Sequence, residues 1–173
     1  MLHIVLLEPE IPQNAGNIAR TCAALGARLH LVEPLGFKLE DRYMRRAGLD
    51  YWPLVDMRTH KSLDEFLGAC PGPGCADRPA QPGAGLFYLT GRRGKVYSEA
   101  EFPEEVFFVF GKESTGLPAG LLDAGAGRCL RIPMREGVRS LNLSNAVAVV
   151  AYEYARRRGF RELGIKSLSL HNA

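Results

Sequence analysis

Three segments of this chain set glycines, small polar side chains and single charges at the ends of apolar runs, where they can handle a ligand rather than fill a core. The first is Glu8-Pro-Glu-Ile-Pro-Gln-Asn14-Ala-Gly16-Asn17-Ile-Ala-Arg20. It follows an apolar run and opens a helical pattern. Asn14 suits a helix cap, and the free N–H groups of a helix start can meet an anion. Asn17 and Arg20 are three apart and share one helix face. A capped helix with a solvated arginine accounts for the same residues.

The second segment is Val106-Phe-Phe-Val-Phe110-Gly111-Lys-Glu113-Ser-Thr-Gly116-Leu-Pro118. An apolar run stops at one glycine and turns through another into a proline-led helix. The glycines admit backbone contact with a flat or polar ligand. Neither a Walker sequence nor GxGxxG is present, so a phosphate-binding loop is disfavoured, and a plain strand-to-helix turn fits equally. The third segment holds Arg131-Ile132-Pro-Met134, then Arg139-Ser140-Leu141-Asn142-Leu143-Ser144-Asn145. Four small polar side chains lie here in an otherwise apolar stretch. An unpartnered buried polar group costs about 1–3 kcal/mol. They therefore imply a ligand or a tightly hydrogen-bonded turn.

The elements that must position these segments alternate between short apolar runs and helical patterns. Strands are expected at residues 2–7, 28–32, 86–90, 106–110 and 128–132. Helices are expected at 15–25, 40–47, 62–67, 118–124 and 143–157. That order is an α/β fold with a mostly parallel sheet and helices on both faces. Ligands in such sheets bind beyond the carboxyl ends of the strands. The last helix is apolar on nearly every side. It is expected to be buried all round, one face against another subunit. Residues 1–160 read as a single domain and 161–173 as a tail, with an exposed Pro/Gly-rich loop at 71–85.

The chain has 173 residues, 46% hydrophobic and 24% charged, an ordinary globular profile. A net charge of +3 is compatible with an RNA partner but does not require one. Cys22, Cys70, Cys75 and Cys129 lack metal or redox spacing and read as reduced thiols. His3, His30, His60 and His171 are scattered, so no metal site is expected. No apolar run approaches the ~20 residues that cross a bilayer. The first residues meet an acid and a proline too soon for a signal peptide, which makes the expected location cytoplasmic.

Together the three segments resemble the SPOUT superfamily of trefoil-knotted RNA 2′-O-ribose methyltransferases, in its TrmL-like (YibK-like) tRNA wobble branch. The pattern N-x-G-N-I-x-R-x-C stands as Asn14, Gly16, Asn17, Ile18, Arg20 and Cys22. F-G-x-E-x-x-G-L-P stands as Phe110, Gly111, Glu113, Gly116, Leu117 and Pro118. The third motif runs from Ile132 to Val147, and Glu33 to Phe37 and Arg45 to Tyr51 are also similar. The likeness spans residues 1 to about 160. One departure is the 71–85 stretch, longer than the link usual in that family and away from the chemistry.

The resemblance implies a deep C-terminal trefoil knot, which the general rule against threaded chains would not suggest. It implies S-adenosylmethionine as methyl donor, with no metal. The donor would be held by Leu89, Thr90, Gly111, Glu113, Gly116, Ile132, Met134, Ser140 and Leu141. It implies a homodimer through the first and last long helices and, as substrate, a tRNA anticodon loop at position 34, leucine tRNAs foremost. Arg20 and Asn17 would serve the reacting ribose. Glu113 and Ser144 would order the loops or touch the substrate, and Asn142 would brace the knot turn. A guanidinium has no acceptor, so Arg20 is better suited to gripping a phosphate than to taking a proton. Arg42, Arg45, Arg46 and the 156–158 arginine run are candidate phosphate contacts or a solvated face. Another tRNA position, ribosomal RNA and a non-catalytic RNA-binding module stay open. Affinity carried by these arginines is expected to fall steeply with added salt in a titration of RNA binding.

Overall fold

The computed structural model describes residues 1–39, 51–70, 84–91 and 93–163. The expected helix at 40–47, Arg42, Arg45 and Arg46, and nearly all of the 71–85 loop lie outside these residues. So does the chain beyond Leu163.

Seven strands form one sheet: β1 (Leu2–Leu7), β2 (Arg28–Val32), β3 (Met57–His60), β4 (Ala84–Thr90), β5 (Lys95–Val96), β6 (Glu105–Phe110) and β7 (Cys129–Arg131). Their spatial order is β3-β2-β1-β6-β4-β7-β5, and every pairing is parallel. The central strands are apolar throughout because both faces are covered; all six residues of β1 are buried. The edge strands β3 and β5 are short and largely exposed, and no apolar run announced them.

Helix α1 (Pro12–Leu25) starts three residues before the expected boundary. Proline, which needs no N–H partner, fills its first position. Gly26 ends it in the left-handed region at φ 63°. Helix α2 (Leu63–Ala69) is capped by Ser62, whose hydroxyl accepts the Glu65 N–H. Helix α3 (Ala119–Ala124) follows Pro118, and α4 (Leu143–Arg157) matches its expected span. Side chains alternate along each strand. Ile4, Leu6, Phe108 and Phe110 thus face α1 and α4, while Val5, Leu7, Phe107 and Val109 face α2 and α3.

Helix α4 is not buried all round in this chain. Val147, Val150, Ala151 and Tyr154 are buried, while Val149 and Tyr152 face solvent. The first part of the expected tail is ordered, with a 3-10 turn at Arg161–Leu163 packed beside α1.

Three histidines that look scattered in sequence stand in a row on the α2 side of the sheet. The nitrogens of His3 (Nδ1) and His30 (Nε2) are 3.0 Å apart, and those of His30 (Nδ1) and His60 (Nε2) are 2.9 Å apart. Parallel register on adjacent strands creates this neighbourhood, which spacing along the chain cannot reveal. Phe107 stacks on His3 at 4.0 Å, and Phe66 meets His30 and His60 edge-on. Each nitrogen of His30 faces a different ring, so the row converges on no common point. Among the described residues no group of three or more His, Cys, Asp or Glu is arranged to hold a metal ion. Burial above all pushes His3 down to about 4 and His30 to about 3, and it lowers His60 too.

These groups stay neutral when folded but titrate near 6.5 when unfolded, so the unfolded chain binds more protons between those values. Their contribution to stability is complete above pH 6.5 and is lost as the pH falls towards 4. The melting temperature is expected to drop across that window, and imidazole resonances of His3 and His30 should not titrate above pH 5. NMR titration midpoints near 6.5 would contradict the buried neutral row.

Candidate active site

Because the sheet is parallel, the carboxyl ends of β1, β6, β4 and β7 rise side by side on one edge. A cleft of about 890 Å³ opens there. Pockets for one small organic molecule span roughly 300–1,000 Å³. Its walls are the end of β4 with Gly91, the loop after β6 from Phe110 to Leu117, and the loop after β7 from Ile132 to Leu143. Ile11, just before α1, and Asn14 in its first turn close one side.

Two glycines shape the middle loop. A Cβ on Gly111 would stand 2.1 Å from the backbone carbon of Gly116 and 2.3 Å from the Leu117 nitrogen. Gly116 adopts φ +73° and donates its N–H to the Lys112 carbonyl at 2.9 Å. The chain therefore folds flat onto itself beside the cleft. At the end of β4, the Thr90 hydroxyl donates to the Arg93 carbonyl at 2.7 Å and accepts the Arg93 N–H at 2.8 Å.

Helix α1 has no side-chain cap of its own, since Ile11 holds that position. The cap comes from the middle loop. Glu113 Oε2 accepts the Glu10 N–H at 2.8 Å, and Oε1 accepts the Ile11 N–H at 3.3 Å and the Asn14 side-chain amide at 2.9 Å. In return the Glu10 carboxylate accepts from Ser114, N–H at 2.9 Å and hydroxyl at 2.8 Å. These bonds hold Glu10 below the usual carboxylate range. Lys112 pairs with Glu8 at 2.5 Å.

The chain of bonds continues into the third loop. Asn14 Oδ1 accepts from the Asn142 amide at 2.9 Å. Asn142 Oδ1 accepts the Ser144 N–H at 2.9 Å and its hydroxyl at 2.7 Å, which caps α4. A carboxylate can only accept, so Glu113 decides which way the Asn14 amide turns, and Asn14 then decides Asn142.

Several sequence expectations change here. Asn14 is no cap; it lies buried inside the first turn of α1. Ser140, Asn142 and Asn145 are exposed, so burial cost does not explain them. Asn142 and Ser144 instead form the tightly bonded turn that was the other alternative. Leu89, Thr90, Gly111, Glu113, Gly116, Ile132, Met134, Ser140 and Leu141 all line the cleft, as does Asn142. Glu113 has both oxygens occupied by the start of α1, which makes it an organiser of the loops.

Asn17 and Arg20 are exposed on α1 and do not line the cleft. At ~1.5 Å rise per residue, Arg20 stands ~9 Å along the helix from Asn14. The 156–158 arginines lie at the surface and make contacts within the chain. Arg156 and Arg157 bond Glu153, pulling its carboxyl down to about 2, and Arg157 also meets the Ser98 and Ala100 carbonyls. Arg158 lies over the Tyr154 ring. Sequence reasoning missed Arg93 and Arg139 in the cleft wall and Glu10 in the clasp. Arg139 sits inside the third motif, whereas Glu10 and Arg93 carry no local signal.

Comparison with known proteins agrees with this layout. The model of the SpoU rRNA Methylase family matches residues 1–152. The chain is 48% identical over 162 residues to a tRNA (cytidine(34)-2′-O)-methyltransferase of Burkholderia pseudomallei, covering 92% of this chain and 97% of that one. A solved structure described as giving insights into the 2-OH methylation of C/U34 on tRNA is 49% identical with a TM-score of 0.80, covering 92% and 97%. The SpoU methyltransferase AviRb of Streptomyces viridochromogenes, solved in complex with AdoMet, shares the fold at 22% identity and a TM-score of 0.77, covering 92% and 61%.

Removing Glu113 strands two backbone N–H groups and an amide. Glu113→Ala is expected to cost about 1–3 kcal/mol of stability. Asn142→Ala loses a cap, at about 1 kcal/mol. The double variant should lose less than the sum, because both side chains belong to one bonded chain. Denaturant melts of the four proteins measure this, and strictly additive losses would mean the loops are not coupled.

Proposed function

The chain belongs to the SpoU rRNA methylase family, and on that premise we propose that it methylates the ribose 2′-oxygen of nucleotide 34 in the tRNA anticodon loop, using S-adenosylmethionine. The observation that carries this reading is the cleft at the tips of β4, β6 and β7, walled by three loops that Glu113, Asn14 and Asn142 tie together. The names of relatives almost half identical over nearly the whole chain support position 34 as the target.

The cleft suits the methyl donor. Its volume fits one nucleoside-sized molecule, and Gly111 lies where a side chain would collide with the loop. Leu89, Thr90, Gly111, Gly116, Ile132, Met134, Ser140 and Leu141 would hold it, largely through backbone groups. When bound, S-adenosylmethionine supplies a sulfonium-activated methyl group open to in-line attack by the ribose oxygen.

The protein's own tasks are positioning and proton removal. Arg20 presents a planar fork of N–H donors, suited to grip the phosphate beside the target ribose from two sides. It offers no acceptor, so the hydroxyl proton leaves to phosphate or water. Asn17, on the same helix face, holds the ribose. Leu89 and Ile132 exclude water from a step in which charge is annihilated.

The same reading includes a cytoplasmic homodimer through α1 and α4. Val149 and Tyr152, large apolar side chains exposed on α4, mark the face that a second copy would cover. It also includes the threaded C-terminal segment, in keeping with α4 following the third loop and packing on α1.

Mass-spectrometric mapping of ribose methylation in RNA from cells lacking the protein tests the target. Loss at nucleotide 34 is expected, with leucine tRNAs examined first. Loss in ribosomal RNA alone would reassign the substrate. Calorimetry should detect S-adenosylmethionine binding, and its absence would favour a binding module. Arg20→Lys is expected to lower kcat/KM at least about tenfold, since one ammonium cannot replace a two-pronged grip. Full activity in that variant would rule the grip out.

A further inference from the structure

Arg20 is exposed, and among the described residues it makes no ion pair or hydrogen bond. A long side chain in that setting would ordinarily sample many rotamers. One contact orders it: the guanidinium carbon lies 4.7 Å from the centre of the Tyr51 ring. A guanidinium over an aromatic face within about 6 Å is held by the ring quadrupole.

Tyr51 is brought there by its own neighbours. It stands at the start of a one-turn 3-10 helix, Trp52–Leu54, and accepts the Leu54 N–H at 2.8 Å. That turn packs on α1, with Trp52 and Val55 against the core. Tyr51 is 37% exposed, so core packing does not account for an aromatic at this position. The ring covers one side of the guanidinium. Among the described residues no acceptor takes its N–H donors, so they stay available to a ligand.

We infer that Tyr51 is a positioning residue for Arg20: its ring holds the guanidinium in place so that the N–H donors are already presented when RNA arrives. This rests on the reading that Arg20 meets the RNA beside the reacting ribose. The interaction reduces the ordering that substrate binding must impose.

Tyr51→Leu removes the ring and keeps an apolar side chain. It is expected to lower kcat/KM for tRNA about fivefold, a loss of the size an exposed cation–π contact supports. S-adenosylmethionine affinity should stay at the wild-type value, and the melting temperature should fall by no more than about 2–4 °C, the share of one exposed contact. Tyr51→Phe, which keeps the ring and loses the hydroxyl, should be fully active.

The affinity for tRNA, measured without turnover, then separates a role through Arg20 from a direct one. Tyr51→Leu should weaken it in the wild-type background and change nothing in Arg20→Ala. An equal loss in both backgrounds would overturn the inference, and so would a fully active Tyr51→Leu or an inactive Tyr51→Phe. A fully active Arg20→Ala protein would instead overturn the reading of the active site itself. An inactive Arg20→Ala protein beside a fully active Tyr51→Leu protein would remove only the role given to Tyr51.

Discussion

The carboxylate of Glu113 reaches across from one loop to take the place of the missing cap on α1, and the cleft is built around that reach. Its two oxygens receive donors from Glu10, Ile11 and Asn14. Asn14 passes the orientation on to Asn142, and Asn142 caps the next long helix. Each bond taken alone has a modest net worth. Their combined effect is geometric, because an acceptor-only group at one end leaves a single orientation for each amide along the line. Three loops far apart in sequence thereby share one arrangement. The clasp from Glu10 to Ser114 ties the same two segments a second time, with donor and acceptor exchanged.

The sheet decides where those loops meet. All-parallel pairing sends every strand's carboxyl end to one edge, and β6 entering between β1 and β4 sets their tips side by side. The two helices covering one face, α1 and α4, each begin at a loop of the cleft. Much of the wall is backbone, offering donors and acceptors whose positions the strands fix. Gly111 is indispensable to that wall for a steric reason, since the loop returns within contact distance of its Cα.

Much of this was legible in the residues. Continuous apolar runs marked β1, β2, β4 and β6, because those strands are covered on both sides. The three motifs marked the loop tips, and the residues expected to hold the donor line one cleft, whereas Asn17, Arg20 and Ser144 lie outside its wall. Strands β3 and β5 left no trace, being short edges with few apolar side chains and only His60 buried. The row of His3, His30 and His60 was hidden because it depends on register between strands. Glu10 was hidden because a clasp between segments has no local pattern. Asn14 was misjudged for a related reason: helix-start statistics favour a self-supplied cap, and here the cap is borrowed. The arginines at 156–158 were read as a solvated face or as phosphate contacts; Arg156 and Arg157 are exposed and also bond Glu153, and Arg157 meets backbone carbonyls, partners that the run itself did not reveal.

The link between Asn14 and Asn142 spans 128 positions of chain. Contacts of such separation form late, after the intervening chain has closed the loop between them. During synthesis the first helix is complete long before the partner that orients it exists. The cleft wall is complete only once residues 132–146 have joined it, since its third loop and the start of α4 belong to them. Whatever settles into the finished pocket then stabilises the end state by mass action, so occupancy also reports that folding has run to completion.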